Sequence, residues 1–600
     1  MVLDGWTDPD EAPSWDLDPL CPGGPGGSAF HERLAAVTER LRELVARAEA
    51  AGGLADDADV WSSVHTDLDA LHPEMGELGT FAHCAASANS RSAAARAAEA
   101  AMDDLRLLAK RVHVAISAAF DAAEDDAFEA FVARPELVAS APMQRHDRAG
   151  RAFRLAPALE RLRTEMEREA LLGWGRLYDQ LSGQLEADLT VGGETRRVSV
   201  AQLAAMRADP EPEVRSASFA ATETAWRSAR DICAHTLTQI TGQRLAMNDR
   251  LGVDELASSL HDNRVERRTL DAMWAAAEAA RPGLVRYLAA KGRLLGTDGL
   301  AWHDLDAPVG AGRNVTWGTA TRWIGEAFAG FDPKLTRFAR EALDGRWIDA
   351  APAAGRRPGG FCADAPKTDQ SRIFLTFTGS IDNATTLAHE LGHAYHNRVL
   401  AKEPPARQHI TSATAETAST FAEAVFRDQL LARADDPGFR LFVLEQQLSA
   451  ATAFLMDIPH RFAIERKLYA LRREGVMEAD QLDELAVACQ REAYAGALAT
   501  WNPTFWSSKL HFYIASFGFY NWPYTFGYLF SGAIHARARD AGSEGLALLE
   551  DVLLRTGWQG TEDLAGEALG VDLGDPAFWV SVVRPLDAMV DEFEALANQR

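Results

Sequence analysis

His389-Glu390-Leu391-Gly392-His393 has the residue types and spacing to hold a metal ion and to activate a water beside it. Four residues of helix bring the chain round to within about 40° of its starting direction and raise it about 6 Å, so both imidazoles leave one face. Glu390, beside the first imidazole, can reach a metal-bound water without coordinating the ion. Chemistry on that water needs a third protein ligand and one open position. No third histidine stands six residues beyond His393, where the residue is Val399. Glu416 and Glu423 follow on the next helical stretch and, seven apart, share a face. Glu416 is the expected third ligand. Glu423 is the carboxylate expected to hold the second ring nitrogen of a ligating imidazole, with the exchanged assignment open. The set predicts one Zn2+ per chain on His389, His393 and Glu416, with Glu390 as general base. His396 is expected to support or pack, and not to be a fourth ligand. The competing reading is a non-catalytic helical binding scaffold with incidental histidines. Leu387, Leu391 and Ala394 weigh against it, because they give the helix an apolar face to bury.

Those residues need a helix and something to set it. Asp382 or Asn383 can cap a helix running through ATTLAHELGHAYHNRVL. Just before it, Arg372 to Thr378 (RIFLTFT) reads as a strand ended by Gly379. Elsewhere, apolar residues recur at three and four: Leu34, Val37, Leu41, Leu44 and Val45 mark a helix over 31–51, with others near 85–110, 112–133 and 155–187. LTVGGETRRVSV (189–200) reads as a hairpin or loop turning at Gly192-Gly193. The fold class is therefore mainly α with a small β-sheet beside the active-site helix. The chain divides into an N-terminal helical region (1–188), the 189–200 connection and a catalytic region (201–600) with a motif core at 359–531.

A formal net charge of −26 argues against nucleic-acid binding, which needs clustered Lys and Arg, and weakly against anionic membranes. No apolar run of about eighteen residues predicts a membrane span. The first thirty residues are acidic and lack the basic and apolar regions of a signal peptide. Five scattered cysteines without a C-x-x-C pair fit a reducing compartment. A cytoplasmic location is expected.

TLAHELGHAYH (386–396), AETASTFAE (415–423) and NPTFWSSKLHFY (502–513) with NWPYTFGYLFS (521–531) resemble the oligoendopeptidase F and thimet oligopeptidase family of zinc metallopeptidases. Weaker echoes are WDLDPL (15–20), LAWHDLDAP (300–308) and GGFCA (359–363). The oligoendopeptidase F branch is the more similar. The resemblance implies a two-lobed helical shell around a deep channel, with zinc on the channel floor and short unstructured oligopeptides as substrates. It also implies that the 372–378 strand is the edge on which a substrate backbone pairs. His511 and either Tyr520 or Tyr528, from a series with Tyr524 spaced every four residues, are implied as donors to the oxyanion. Cleavage of internal bonds is expected; a carboxydipeptidase trimming free C-termini is the enzymatic alternative. Cys362 could touch substrate, though a small buried hydrophobe is the simpler reading.

Overall fold

Sequence periodicity becomes helix packing in the computed structural model, which describes residues 10–167 and 169–599. The first helix, Ser28–Ala50, buries Phe30, Val37, Leu41, Leu44 and Val45. It packs with Ala58–Ala88 and Ala93–Ala122, and their shared core includes Val64, Leu68, Leu71, Met102, Leu105 and Val112. The middle helices divide differently from the sequence expectation. Residues 85–88 end the preceding helix, and Ser92 then caps the next by accepting from Ala95 N at 3.2 Å. A short helix, Asp125–Val132, follows, while 155–187 resolves into Pro157–Glu167 and Leu171–Gln184. Of the thirty N-terminal residues read as lacking a signal pattern, the first nine lie outside the described residues.

Among the described residues five strands interrupt the helices: β1 (Glu186–Val191), β2 (Glu194–Ser199), β3 (Ile348–Asp349), β4 (Phe361–Ala365) and β5 (Gln370–Phe374). β1 and β2 form the expected antiparallel hairpin, Val191 opposite Glu194. Its two turn residues have φ of 60° and 81°, so glycine at 192 and 193 is what a tight primed turn requires. The second sheet has the order β3-β5-β4, parallel on one side and antiparallel on the other. This corrects two expectations. The strand at 372–378 ends at Phe374, and it is central: β3 and β4 occupy both its sides. The outer edges of this sheet therefore belong to the two-residue β3 and to β4, which begins within the GGFCA segment.

Two compact units gather these elements. The first comprises Met1–Arg151, Arg313–Leu430 and Phe530–Gly570; the second comprises Ala152–Gly312, Leu431–Leu529 and Val571–Arg600. Each is assembled from three stretches of chain, unlike the consecutive regions 1–188, 189–200 and 201–600 expected from sequence. In the first unit, the 58–88 helix carries the β4–β5 turn: Glu77 Oε2 accepts from Thr368 N at 2.9 Å, and Thr80 donates to the Asp364 carbonyl. In the second, the hairpin packs Ala187, Leu189 and Val198 against Ala221 and Ala225 of the 40-residue helix Pro212–Leu251. All five cysteines are free. Among the described residues, no helix is long and apolar enough to cross a membrane.

Candidate metal centre

The helix Ile381–Leu400 places His389 and His393 one turn apart. Its cap is Ser380, not Asp382 or Asn383: Ser380 Oγ accepts from Asn383 N at 3.1 Å, and the Asn383 side chain answers to the Ser380 backbone. Two orphan amides are satisfied reciprocally, which fixes where the helix begins. Leu387, Leu391 and Ala394 are buried, as the apolar face predicted. β4 and β5 pack on this helix, and Asn397 Nδ2 donates to Ser371 Oγ at 3.2 Å, tying its far end to β5.

Glu416 does not lie within one continuous helix with Glu423. It sits at a junction between Ser412–Ala415 and Thr417–Ala432, with its carbonyl accepting from Thr420 N at 3.0 Å. The break aims its carboxylate at the two imidazoles. Gly392 makes that approach possible. A Cβ there would stand 2.5 Å from the Ala418 carbonyl oxygen and 2.6 Å from Ser419 Cα, closer than any real contact. The two helices touch backbone to backbone at this point.

The three donors form a near-regular triangle. His389 Nε2 and His393 Nε2 are 3.1 Å apart, and Glu416 Oε2 is 3.3 and 3.4 Å from them. Ligands about 2.0–2.1 Å from a tetrahedral zinc ion stand about 3.3–3.4 Å from one another, so the set fits that ion in both chemistry and spacing. Among the described residues, this is the one group of three or more His, Cys, Asp or Glu that could hold a metal. Electrostatics agree. His389 is pushed up to about 10: burial opposes its charged form, but the hydrogen bonds and charges of Glu416 and Glu423 outweigh it. Burial likewise raises Glu416, yet hydrogen bonds from His389 and His393 hold it well below the usual carboxylate range. The pocket is built for positive charge.

Behind the triangle, His389 Nδ1 donates to Glu423 Oε1 at 2.6 Å, which leaves Nε2 free to face the metal position. Arg427 pairs with the other oxygen of Glu423, and Ser419 Oγ donates to Glu416 Oε2 at 2.8 Å. Burial pushes Glu423 up, but Arg427 and His389 bring it below its ordinary value. Arg427 and Ser419 are absent from the sequence reading. The i,i+4 spacing of Glu423 and Arg427 was the available signal for the first. Replacing Glu423 with Gln is expected to weaken metal binding about 10–100-fold, read by competition with a chelator. Unchanged affinity would remove Glu423 from the supporting role.

Glu390 is 5% exposed, and its Oε2 has no hydrogen-bond partner. Burial chiefly raises its pKa; Glu416 and Glu423 add to the rise while the two histidines oppose it. Its other oxygen lies 3.3 Å from where a Cβ at Gly360 would stand, so the carboxylate abuts the start of β4. His396 Nε2 instead meets Thr556 Oγ1 at 2.7 Å and is fully buried, a packing role as expected. Cys362 lies on β4, half-buried, with its Sγ 3.8 Å from Asn397 Nδ2.

The second unit holds the other sequence candidates. His511 lies in the turn Leu510–Phe512, its ring centroid 5.4 Å from Tyr520 and 6.1 Å from Tyr524. Tyr520 and Tyr524 are 5.9 Å apart. Tyr528 is not in this cluster but stacks on Phe454, centroids 4.7 Å apart and planes 18° from parallel. Pro523 occupies the first turn of the helix Trp522–Asp540, where its missing N–H is harmless.

The family model for peptidase family M3 matches residues 326–566. The chain is 22% identical to oligopeptidase PepF of Bacillus subtilis (strain 168) over 599 residues, 97% of this chain and 87% of that one. The crystal structure of oligoendopeptidase-F from Enterococcus faecium shares the fold with a TM-score of 0.71 at 18% identity, covering 95% of this chain and 99% of its own. A solved structure from Chlamydophila abortus reaches a TM-score of 0.82 at 17% identity, over 97% and 98% of the two chains. The matched segment contains the whole donor cluster and the likeness extends over nearly the full chain, so the chain is similar to the oligoendopeptidase F branch of peptidase family M3, a family of metallopeptidases.

Proposed function

We propose that the chain is a zinc-dependent endopeptidase that hydrolyses internal bonds of short, unstructured oligopeptides. The observation that carries this reading is the donor triangle, with edges of 3.1, 3.3 and 3.4 Å, beside a buried carboxylate whose Oε2 lacks a partner. His389, His393 and Glu416 hold the ion. Bound there, zinc supplies Lewis acidity that polarises the scissile carbonyl and acidifies water. Glu390 Oε2 takes the proton from the attacking water and delivers it to the leaving amine nitrogen. Glu423 keeps the His389 tautomer by accepting from Nδ1. For His511 and Tyr520 the reading gives hydrogen-bond donation to the oxyanion. The family resemblance supports that role, as does the way the two rings form one aromatic cluster. Tyr520 is preferred over Tyr528, whose ring is engaged by Phe454.

Oligopeptide substrates are supported by the family likeness and by β4 as an edge strand, where an extended chain can pair without sequence selectivity. Product analysis on peptides of graded length, blocked at both ends, tests the endo mode. Internal cleavage of blocked peptides is expected. Removal of dipeptides from free C-termini only, with blocked peptides left intact, would establish the trimming enzyme instead.

A further inference from the structure

A cavity of about 220 Å3 lies in the second unit, lined in part by Arg207, Asp306, Asp457, Arg461, Tyr494 and Lys509. Two of its three cations are matched: Arg207 Nη2 is 2.7 Å from Asp306 Oδ2, and Arg461 pairs closely with Asp457. Lys509 is not. Among the described residues its ammonium has no hydrogen bond and no close ion pair, and it stands 5.2 Å from the centroid of the Phe505 ring. Neighbouring His460 is fully buried and driven down to about 4, chiefly by burial, so it adds no charge at neutral pH. Three cations therefore face two carboxylates. Burial, then Arg461 and Arg207, bring Lys509 down to about 8 against the pull of Asp457 and Asp306. A cation so placed is destabilised until an anion joins it.

The walls say which anion. Trp302 meets Phe505 and Tyr494 edge to face, each with centroids 5.7 Å apart, giving an apolar surface for a short carbon skeleton. The volume suits one terminal residue or one acidic side chain. We propose that Lys509 and this cavity form a subsite for a carboxylate of the peptide substrate, either the C-terminal α-carboxylate or an Asp or Glu side chain. The inference rests on the reading of His511 as part of the peptide-processing site. Lys509 stands two residues before it, and burial followed by Arg461 and Lys509 holds His511 at about 4, hence neutral.

The test compares kcat/KM for three otherwise identical quenched peptides: free C-terminus, amidated C-terminus, and amidated with one Gln changed to Glu. The wild type is expected to prefer at least one carboxylate peptide over the neutral amide by about 10–100-fold, and the favoured peptide identifies the source of the carboxylate. Lys509→Gln should collapse that ratio towards one, and Lys509→Arg should restore most of it. Because the readout is a ratio within each variant, partial loss of folded enzyme cancels. A wild-type ratio near one, or a ratio that survives in Lys509→Gln, overturns the subsite. His511→Phe on the neutral amide tests the underlying reading separately: undiminished turnover there would refute the role of His511 whatever the ratio shows.

Discussion

Glu390→Gln is expected to keep its metal ion and lose about 10²–10⁴-fold in kcat. The two side chains have the same shape, and Glu390 is not one of the three donors, so the triangle of His389, His393 and Glu416 is left intact. What changes is basicity. Oε2 of Glu390 is buried without a partner, so it has an unused lone pair where a proton must be received. An amide there cannot take a proton from water or pass one to the leaving amine. The buried carboxylate could instead serve only to balance the charge of the pocket. The two roles separate cleanly, because a charge-balancing residue would alter metal affinity while turnover per bound metal stayed near normal. Metal content and kcat measured on the same preparation decide between them.

Gly392→Ala should be as damaging by a different route. A methyl group at this position would enter the backbone of Ala418 and Ser419 at 2.5–2.6 Å, and a backbone cannot rotate aside as a side chain can. The helices Ile381–Leu400 and Thr417–Ala432 must part, at about 1–3 kcal/mol or more of overpacking. That movement carries Glu416 and Glu423 away from His389 and His393. A displacement near 1 Å at a catalytic constellation costs about 10²-fold in rate, and here it also opens the donor set. The expected result is a folded, helical protein with little bound metal and activity down by at least about 10²-fold. Wild-type metal content in this variant would show that the crossing is looser than its backbone contact implies.

Part of the site is legible in the sequence for a physical reason. His389, Glu390 and His393 lie within one turn and a half of helix, where spacing alone determines direction. Glu423 was found because a second acid at a seven-residue interval shares a face with the first. The junction at Glu416 was not legible, since nothing in Thr411-Ser-Ala-Thr-Ala-Glu-Thr separates one helix from two. Gly392 was in plain view inside the motif, but a helical glycine declares its purpose only when the neighbour that fills its space is known. The same limit applied to the sheet. RIFLTFT has the composition of a strand, yet whether a strand is central or at an edge depends on partners far away in sequence, here Ile348–Asp349 and Phe361–Ala365. The tyrosines at four-residue intervals look alike in sequence; their surroundings differ only in the fold, where Tyr528 stacks on Phe454. The family likeness was readable because its motifs are contiguous runs; the two units were not, because each is built from three separated stretches.

Under the proposed function, His389, His393 and Glu416 together hold one catalytic zinc ion. Metal analysis by mass spectrometry on the purified wild type, Glu390→Gln and Gly392→Ala proteins, with peptidase turnover on each, tests it directly. One equivalent of zinc in the first two, little in the third, and turnover in the wild type alone is the predicted outcome. Undiminished peptide cleavage by wild-type protein from which all metal has been stripped would contradict it.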